Sequence, residues 1–137
     1  MRLELQARTE LTLKTLQALS DRRRCGGAAL GRRVGSSAAY TAHIVAPLTR
    51  AGWVTSTPGP TGGYELVVDL DAVSLHQLIE LVEGPTDDGH CVLVDRPCGQ
   101  PDRCALHDAW SRARSALTTE LESIPISQII EHEEARS

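Results

Sequence analysis

The sequence predicts a mainly α protein with a small β-hairpin, arranged as a winged helix-turn-helix followed by a long dimerisation helix. Three observations support this prediction. Two helical segments are joined by the tight turn Gly35-Ser36-Ser37, which is the outline of a helix-turn-helix. Two β-rich stretches then flank a Gly/Pro-rich turn, in the order of a winged helix. A long C-terminal segment repeats apolar residues three and four positions apart. We therefore divide the chain into residues 1–70 and 71–137.

Each predicted element has a local signal. Leu11, Leu16 and Leu19 recur near helical spacing in the first helix, and Ser37 is a favoured N-cap for the third. The stretch from Met1 to Leu5 is either a short strand or an extended arm. The predicted helices cover residues 8–20, 28–34, 38–50, 75–83, 104–122 and 126–131, and the predicted strands cover 53–57 and 64–68.

Composition and charge narrow the class of protein. The chain has 137 residues, 41% of them hydrophobic and none of them Phe, so we expect one domain-sized core made of aliphatic side chains. Residues 1–65 carry nine basic and four acidic side chains, whereas residues 66–137 carry five basic and fourteen acidic ones. This asymmetry indicates a nucleic-acid-facing part and a separate sensing or assembly part. Two ordinary solvated faces would look similar.

Several classes of protein are disfavoured. The sequence contains no apolar run of eighteen residues, so we predict no membrane span. It also has no N-terminal stretch that resembles a secretion signal. We therefore expect a cytoplasmic protein without a membrane partner. No grouping of nucleophile, base and oxyanion donors is visible, so we do not expect an enzyme.

The stretch CVLVDRPCGQPDRCALHDAW concentrates soft metal ligands. Cys91, Cys98, Cys104 and His107 follow a Cys-x6-Cys-x5-Cys-x2-His spacing. The first two cysteines lie in a Pro/Gly-rich loop, and the last cysteine opens a helix, where a three-residue spacing places it on one face with the histidine. Thiolates select zinc, copper(I) or iron–sulfur clusters, and imidazole is compatible with zinc and iron. The pattern predicts a metal site.

Other interpretations of the cysteines remain open at this stage. Disulfides require an oxidising compartment, and buried free thiols are common. A structural Cys3His zinc site is the main alternative, although zinc modules usually space their cysteines two to four residues apart. Wider gaps suit the larger iron–sulfur cluster. Cys25 lies far along the chain from the other three, and we expect it to be a free structural thiol.

The long C-terminal helix has an apolar seam, which either packs inside the chain or forms a dimer contact. The earlier helices are already committed to the winged helix, so we expect the dimer contact. The seam consists of Leu106, Ala109, Trp110, Ala113, Ala116, Leu117 and Leu121.

The order of these motifs resembles a known family. The opening MRL, the wing AGWVTSTPGPTGGYEL, the segment LIELVEG, the cysteine stretch and the final ISQII are together similar to IscR/NsrR-type regulators of the Rrf-type superfamily. The resemblance implies a homodimeric transcription regulator that binds a double-stranded DNA operator through two winged-helix domains. We expect it to act as a repressor. The resemblance also implies an iron–sulfur cluster that senses redox state, nitric oxide or the status of iron and clusters.

The resemblance assigns ligands residue by residue. In the IscR-like pattern, Cys91, Cys98, Cys104 and His107 hold a 2Fe–2S cluster. The NsrR branch holds a 4Fe–4S cluster with three cysteines and an acidic residue of the partner's first helix, and the segment TELTLKTL places Glu10 in that position. His107 and Glu10 therefore compete for the fourth place. Zinc is a less favoured occupant.

Candidate DNA contacts follow from the winged-helix pattern. Glycines at the hairpin tip let backbone amides approach phosphates. Two departures from the family pattern concern DNA: Pro58 replaces an arginine of the wing, and Pro47 lies inside the recognition helix, which we expect it to kink or end. The predicted contacts are Ser37, Tyr40 and His43 for bases, Arg32, Arg33 and Arg50 for phosphates, and Gly59, Thr61 and Gly62 at the wing.

Two alternative functions remain. A zinc-braced or thiol-based winged-helix regulator without an iron–sulfur cluster would be colourless. A small iron–sulfur electron carrier would not bind DNA and would leave the basic half of the chain unexplained.

Overall fold

A computed structural model describes residues 3–99 and 101–137. The predicted arm or strand therefore lies partly outside the described residues, and residues 3–6 form no strand. Among the described residues, no helix is both long enough and apolar enough to cross a membrane. The elements in chain order are α1 (Ala7–Ala18), α2 (Gly27–Val34), α3 (Ala38–Arg50), β1 (Val54–Thr57), β2 (Gly63–Leu66), α4 (Leu75–Glu83), α5 (His107–Glu122) and α6 (Ile126–Arg136). Six helices and a two-stranded hairpin confirm the predicted fold class.

Helix α1 turns a face of leucines and threonines into the core. Leu16 and Leu19 are fully buried, as the periodicity predicts. Thr12 and Thr15 are buried on the same side, and their hydroxyls donate to the carbonyls one turn earlier, 2.7 and 2.8 Å away. Because these hydroxyls are satisfied within the helix, they can be buried at little cost.

The turn between α2 and α3 depends on two glycines. Gly35 ends α2 in the left-handed conformation, with φ of 74°. A Cβ at Gly31 would lie 2.7 Å from the Ser36 carbonyl oxygen, so only glycine allows α3 to approach this closely. The Ser37 hydroxyl accepts a hydrogen bond from the Tyr40 amide at 3.1 Å, which confirms the predicted N-cap.

Pro47 does not end the recognition helix, so that part of the expectation was wrong. Helix α3 continues to Arg50, and the Pro47 carbonyl accepts a bond from the Ala51 amide at 3.0 Å. Proline removes one donor only, and here it stands within the last turn, where few later bonds depend on it.

The hairpin is antiparallel, with Val54 opposite Leu66 and Thr57 opposite Gly63. Both strands are shorter than predicted. The amides of Val67 and Val68, which were expected to continue β2, instead donate to the Trp53 carbonyl at 2.9 and 3.2 Å. This shared acceptor closes the base of the hairpin and ends the ladder.

The second half of the chain packs onto the first. A capping box between Ser74 and Gln77 starts α4. Ile126 and Ile130 of α6 belong to the same hydrophobic cluster as Leu16 of α1, so one core crosses residue 70. Helix α6 is five residues longer than predicted, because its charged last turns are made of good helix formers. The division at residues 1–70 and 71–137 stays a prediction.

Candidate metal centre and nucleic-acid interface

The loop between α4 and α5 folds back on itself and brings two cysteines together. The Cys98 amide donates to the Gly89 carbonyl, and the Cys91 amide donates to the Arg96 carbonyl, both at 2.9 Å. His90 and Pro97 form an isolated antiparallel bridge between these two bonds. The six residues between Cys91 and Cys98 are therefore the tip of a small hairpin, and its two cysteines lie on opposite arms at the base, Cys91 across from Arg96 and Cys98 across from Gly89.

The third cysteine reaches the same place from the start of α5. Cys104 lies before the helix, which begins at His107, so the prediction that Cys104 opens the helix was wrong. The chain makes a turn instead, in which the His107 amide donates to the Cys104 carbonyl at 3.2 Å. Because Cys104 is outside the helix, its position is set by this turn and not by helical spacing.

The three thiols converge. The Sγ atoms of Cys91, Cys98 and Cys104 all lie within 4.8 Å of one another. His107 approaches from one side: its Nδ1 is 3.3 Å from Cys98 Sγ, but it is not part of the group in which all ligand atoms lie within 4.8 Å. Cys25 is buried elsewhere, paired by backbone hydrogen bonds with Tyr64 at the hairpin. The structure thus brings together the three predicted cysteines and keeps Cys25 apart.

Backbone amides polarise the thiols differently. The Leu93 amide lies 3.4 Å from Cys91 Sγ, and hydrogen bonding from the Leu93 and Val94 backbone lowers the pKa of Cys91 to about 7. Desolvation raises the pKa of Cys104, with the neighbouring thiols of Cys98 and Cys91 adding to the effect. Amides that point at sulfur favour the thiolate, which is the form that binds metal.

Side chains that the sequence did not single out complete the wall of this cavity of about 130 Å³. Arg114 of α5 forms an ion pair with Asp87 at 3.2 Å, and both line the cavity together with Trp110. The pair ties the start of the cysteine loop to the middle of α5. Asp87 and Arg114 are 27 positions apart, so no local sequence pattern could have indicated their contact.

The ligand types present suit the group that the resemblance implies. Cysteine thiolates are the usual ligands of iron–sulfur clusters, and histidine replaces cysteine in some of them. The alternative ligand Glu10 lies on α1, with most of its side chain exposed and its carboxylate 3.0 Å from Lys14. Glu10 is not part of the thiol group within its own chain.

The predicted DNA contacts are divided among α2, α3 and the wing. Tyr40 is 45% exposed, and its ring stacks on His43 with the centroids 6.0 Å apart. Arg32 and Arg33 end α2, and Arg50 ends α3, all of them exposed. At the wing, Gly59 and Thr61 are exposed and Gly62 is partly buried. These residues lie on three successive elements of the winged helix, and their contact with DNA stays a prediction.

The seam of α5 is covered only at its end within the chain, where Leu121 packs against the core. No described residue of α5 is buried, and Leu117 is 43% exposed. Trp110, Ala113 and Leu117 border an apolar groove that also contacts Leu3. An apolar seam left open in this way is typical of a helix that packs against another chain.

Three helices and a hairpin, followed by three convergent thiols beside a long exposed helix, define a winged-helix protein with a candidate metal centre. Residues 5–132 match the Rrf2 family, described as iron-dependent transcriptional regulators, and the chain belongs to that family. This confirms the resemblance found in the sequence.

Individual relatives that match this chain are also transcriptional regulators. The HTH-type transcriptional regulator IscR of Vibrio cholerae serotype O1 is 31% identical over 101 residues, which are 74% of this chain and 58% of the relative. IscR of Escherichia coli O1:K1 is 28% identical over 105 residues, or 77% and 64% of the two chains. The chain therefore spans less than two thirds of these relatives.

Solved structures share the fold over almost the whole chain. CymR, the global cysteine regulator of B. subtilis, superposes with a TM-score of 0.71 at 24% identity and covers 96% of this chain and 98% of its own. IscR of T. potens superposes with a TM-score of 0.71 at 19% identity, covering 98% and 92%.

Proposed function

We propose that this chain is a homodimeric, cytoplasmic repressor that binds a double-stranded DNA operator and whose affinity is switched by an iron–sulfur cluster. The observation that carries the proposal is the convergence of three free thiols within 4.8 Å, in a chain of a family described as iron-dependent transcriptional regulators. The family is one of transcriptional regulators, which are not enzymes, and we assign no catalytic residue.

Cys91, Cys98 and Cys104 are the proposed protein ligands of a 2Fe–2S cluster. His107 is the proposed fourth ligand, supported by the approach of its Nδ1 to Cys98 Sγ at 3.3 Å. A 4Fe–4S cluster with Glu10 of the partner subunit is the alternative. When bound, such a group supplies a centre that redox change, nitric oxide or iron supply can alter.

The chain offers a direct mechanical path from this loop to the DNA-binding half. The loop starts at Gly84, one residue after Glu83, and the Glu83 carboxylate accepts a hydrogen bond from the Gln6 amide at 3.1 Å. The Thr9 hydroxyl donates to the same carboxylate. A shift of the loop stem therefore acts on the first turn of α1, which packs against both α2 and α3.

The proposed DNA surface combines base contacts from α3 with phosphate contacts around it. Ser37, Tyr40 and His43 are placed at the start and middle of the recognition helix, where winged-helix and helix-turn-helix proteins read the major groove. Arginines and the wing glycines are proposed to fix the position on the backbone.

The proposed dimer uses the open seam of α5. Replacing Leu117 with Glu would place a charge in the seam, and we expect the variant to sediment as a monomer. An exposed position on the same helix, Arg112→Glu, is the matched control and should leave the dimer intact. A Leu117→Glu variant that remains dimeric would exclude this seam as the interface.

The first experiment tests the cluster. Protein purified without oxygen should be red-brown and contain about two irons with acid-labile sulfide per chain, or about four for the Glu10 alternative. Cys98→Ala should lose the colour, whereas Cys25→Ala should keep it. A colourless wild-type protein that contains no sulfide would refute the cluster and favour the zinc-braced or thiol-based regulator.

The second experiment tests DNA binding. Operator sequences are selected from random duplex DNA, and affinity is measured by fluorescence anisotropy at several salt concentrations. Arg50→Ala should weaken binding and reduce the slope of log affinity against log salt by about one. Arg136→Ala, in the acidic half of the chain, should leave both the affinity for DNA and its salt dependence unchanged. No selective enrichment of DNA by cluster-loaded or cluster-free protein would refute the proposed function.

A further inference from the structure

The three thiols of the loop also have the spacing of ligands that share a single ion. Thiolates that ligate different irons lie on opposite sides of a cluster and are separated by its width. Thiolates that share one ion are held near each other. All three Sγ atoms of the loop lie within 4.8 Å of one another, which is the arrangement of ligands around a single ion.

The distances agree with one thiophilic ion of tetrahedral geometry. With Zn–S bonds of about 2.3 Å and a Zn–N bond of about 2.0–2.1 Å, tetrahedral ligand atoms are separated by about 3.6–3.8 Å. The upper limit of 4.8 Å on the sulfur separations includes this value. His107 Nδ1 lies 3.3 Å from Cys98 Sγ and needs only a small adjustment to complete the set.

Backbone amides near two of the thiols favour negative charge on sulfur. Amides of Leu93 and Cys104 lie 3.4 and 3.5 Å from Cys91 Sγ and Cys98 Sγ, where they stabilise negative sulfur. Arg114 lines the same cavity. The thiols belong to a hairpin base and a turn that are both closed by backbone hydrogen bonds, so the backbone itself holds the three ligands near one another.

We infer that the cluster-free protein binds one Zn²⁺ through Cys91, Cys98, Cys104 and His107. Zinc and the cluster then exclude each other, because they use the same thiolates at different spacings. Zinc binding closes the loop in the compact arrangement described above, and the thiol protons pass to solvent. The inference uses the same thiols as the proposed function but does not depend on DNA binding or on cluster assembly.

Cobalt(II) is the probe, because its absorption reports ligand type and geometry where Zn²⁺ is silent. Cluster-free protein, kept reduced and without oxygen, is titrated with CoCl2. We expect one Co²⁺ per chain, intense sulfur-to-metal charge-transfer bands and strong visible bands of a tetrahedral site, all of which added Zn²⁺ removes. A weak pink octahedral spectrum, or the same spectrum from Cys98→Ala, would overturn the inference.

Matched variants separate the ligands. Cys98→Ala should weaken Co²⁺ binding by about 100-fold or more, since one of four bonds is lost. Cys25→Ser should bind as the wild type does. His107→Ala should still bind Co²⁺, with the visible bands shifted because water replaces the imidazole; an unshifted spectrum would refute His107 as a ligand. Circular dichroism checks that each variant is folded. A protein that assembles a cluster but binds no Co²⁺ would refute this inference and leave the proposed function standing.

Discussion

The Glu83 carboxylate accepts a hydrogen bond from the Gln6 amide, 3.1 Å away at the start of α1, although the two residues are 77 positions apart. Gln6, at the N-cap position, caps α1 with no side-chain bond of its own. One free amide at the start of α1, that of Gln6, is therefore satisfied from the C-terminal end of α4, and the negative carboxylate lies near the positive end of the α1 dipole.

Replacing Glu83 with Ala should destabilise the protein, because it removes the acceptor for both Gln6 and Thr9. We expect a loss of about 1–2 kcal/mol, the usual cost of losing an N-cap. Urea denaturation measures the loss. Glu131→Ala on the exposed side of α6 is the control and should change the stability by less than about 0.5 kcal/mol. Equal effects of the two variants would argue that Glu83 does not cap α1.

Gly63 should tolerate no side chain. Its φ is 144°, and a Cβ would lie 2.4 Å from the Cys25 carbonyl oxygen. Gly63→Ala should therefore cost about 3 kcal/mol, through both backbone strain and the clash. Gly59 has a positive φ of 96° but open space around it, so Gly59→Ala should cost only about 1 kcal/mol. Thermal unfolding of the two variants compares their losses of stability. Similar losses for Gly63→Ala and Gly59→Ala would show that the contact with Cys25 is unimportant.

Thr41 should be improved by removing its hydroxyl. The residue is fully buried, and its Oγ1 has no hydrogen-bond partner among the described residues. Thr41→Val keeps the shape and removes the unpaired polar atom, so we expect a gain of about 1 kcal/mol. Thr12→Val removes a satisfied hydroxyl and should give no gain. The melting temperature of each variant is compared with that of the wild type. A lower melting temperature for Thr41→Val would mean that the hydroxyl has a hydrogen-bond partner.

Cys91 should be the most reactive thiol of the cluster-free loop near neutral pH. The Leu93 and Val94 amides lower its pKa to about 7. The fraction of Cys91 present as thiolate therefore increases as the pH rises past about 7 and decreases at lower pH. Burial raises the pKa of Cys104, so that thiol should react with iodoacetamide only at higher pH. Mass spectrometry after timed alkylation gives the order in which the cysteines are labelled. Labelling of Cys104 before Cys91 would contradict the prediction.

The predicted helices reflect strong local signals. Helices α3 and α4 match their predicted ranges because each begins at a serine N-cap and has an apolar stripe. The end of β2 and the extent of α6 were missed, since one depends on the Trp53 carbonyl and the other on charged residues with no apolar period.

By itself, the sequence determined the fold class, the family and the candidate ligands, because periodicity, caps and the spacing of cysteines are local properties of the chain. Only the tertiary structure decided that Cys104 precedes α5, that Arg114 holds Asp87 beside the thiols, and that Glu83 caps α1. These relationships join residues that are distant in sequence or separated by a turn. They follow from how α1, α4 and α5 pack, which no local pattern specifies.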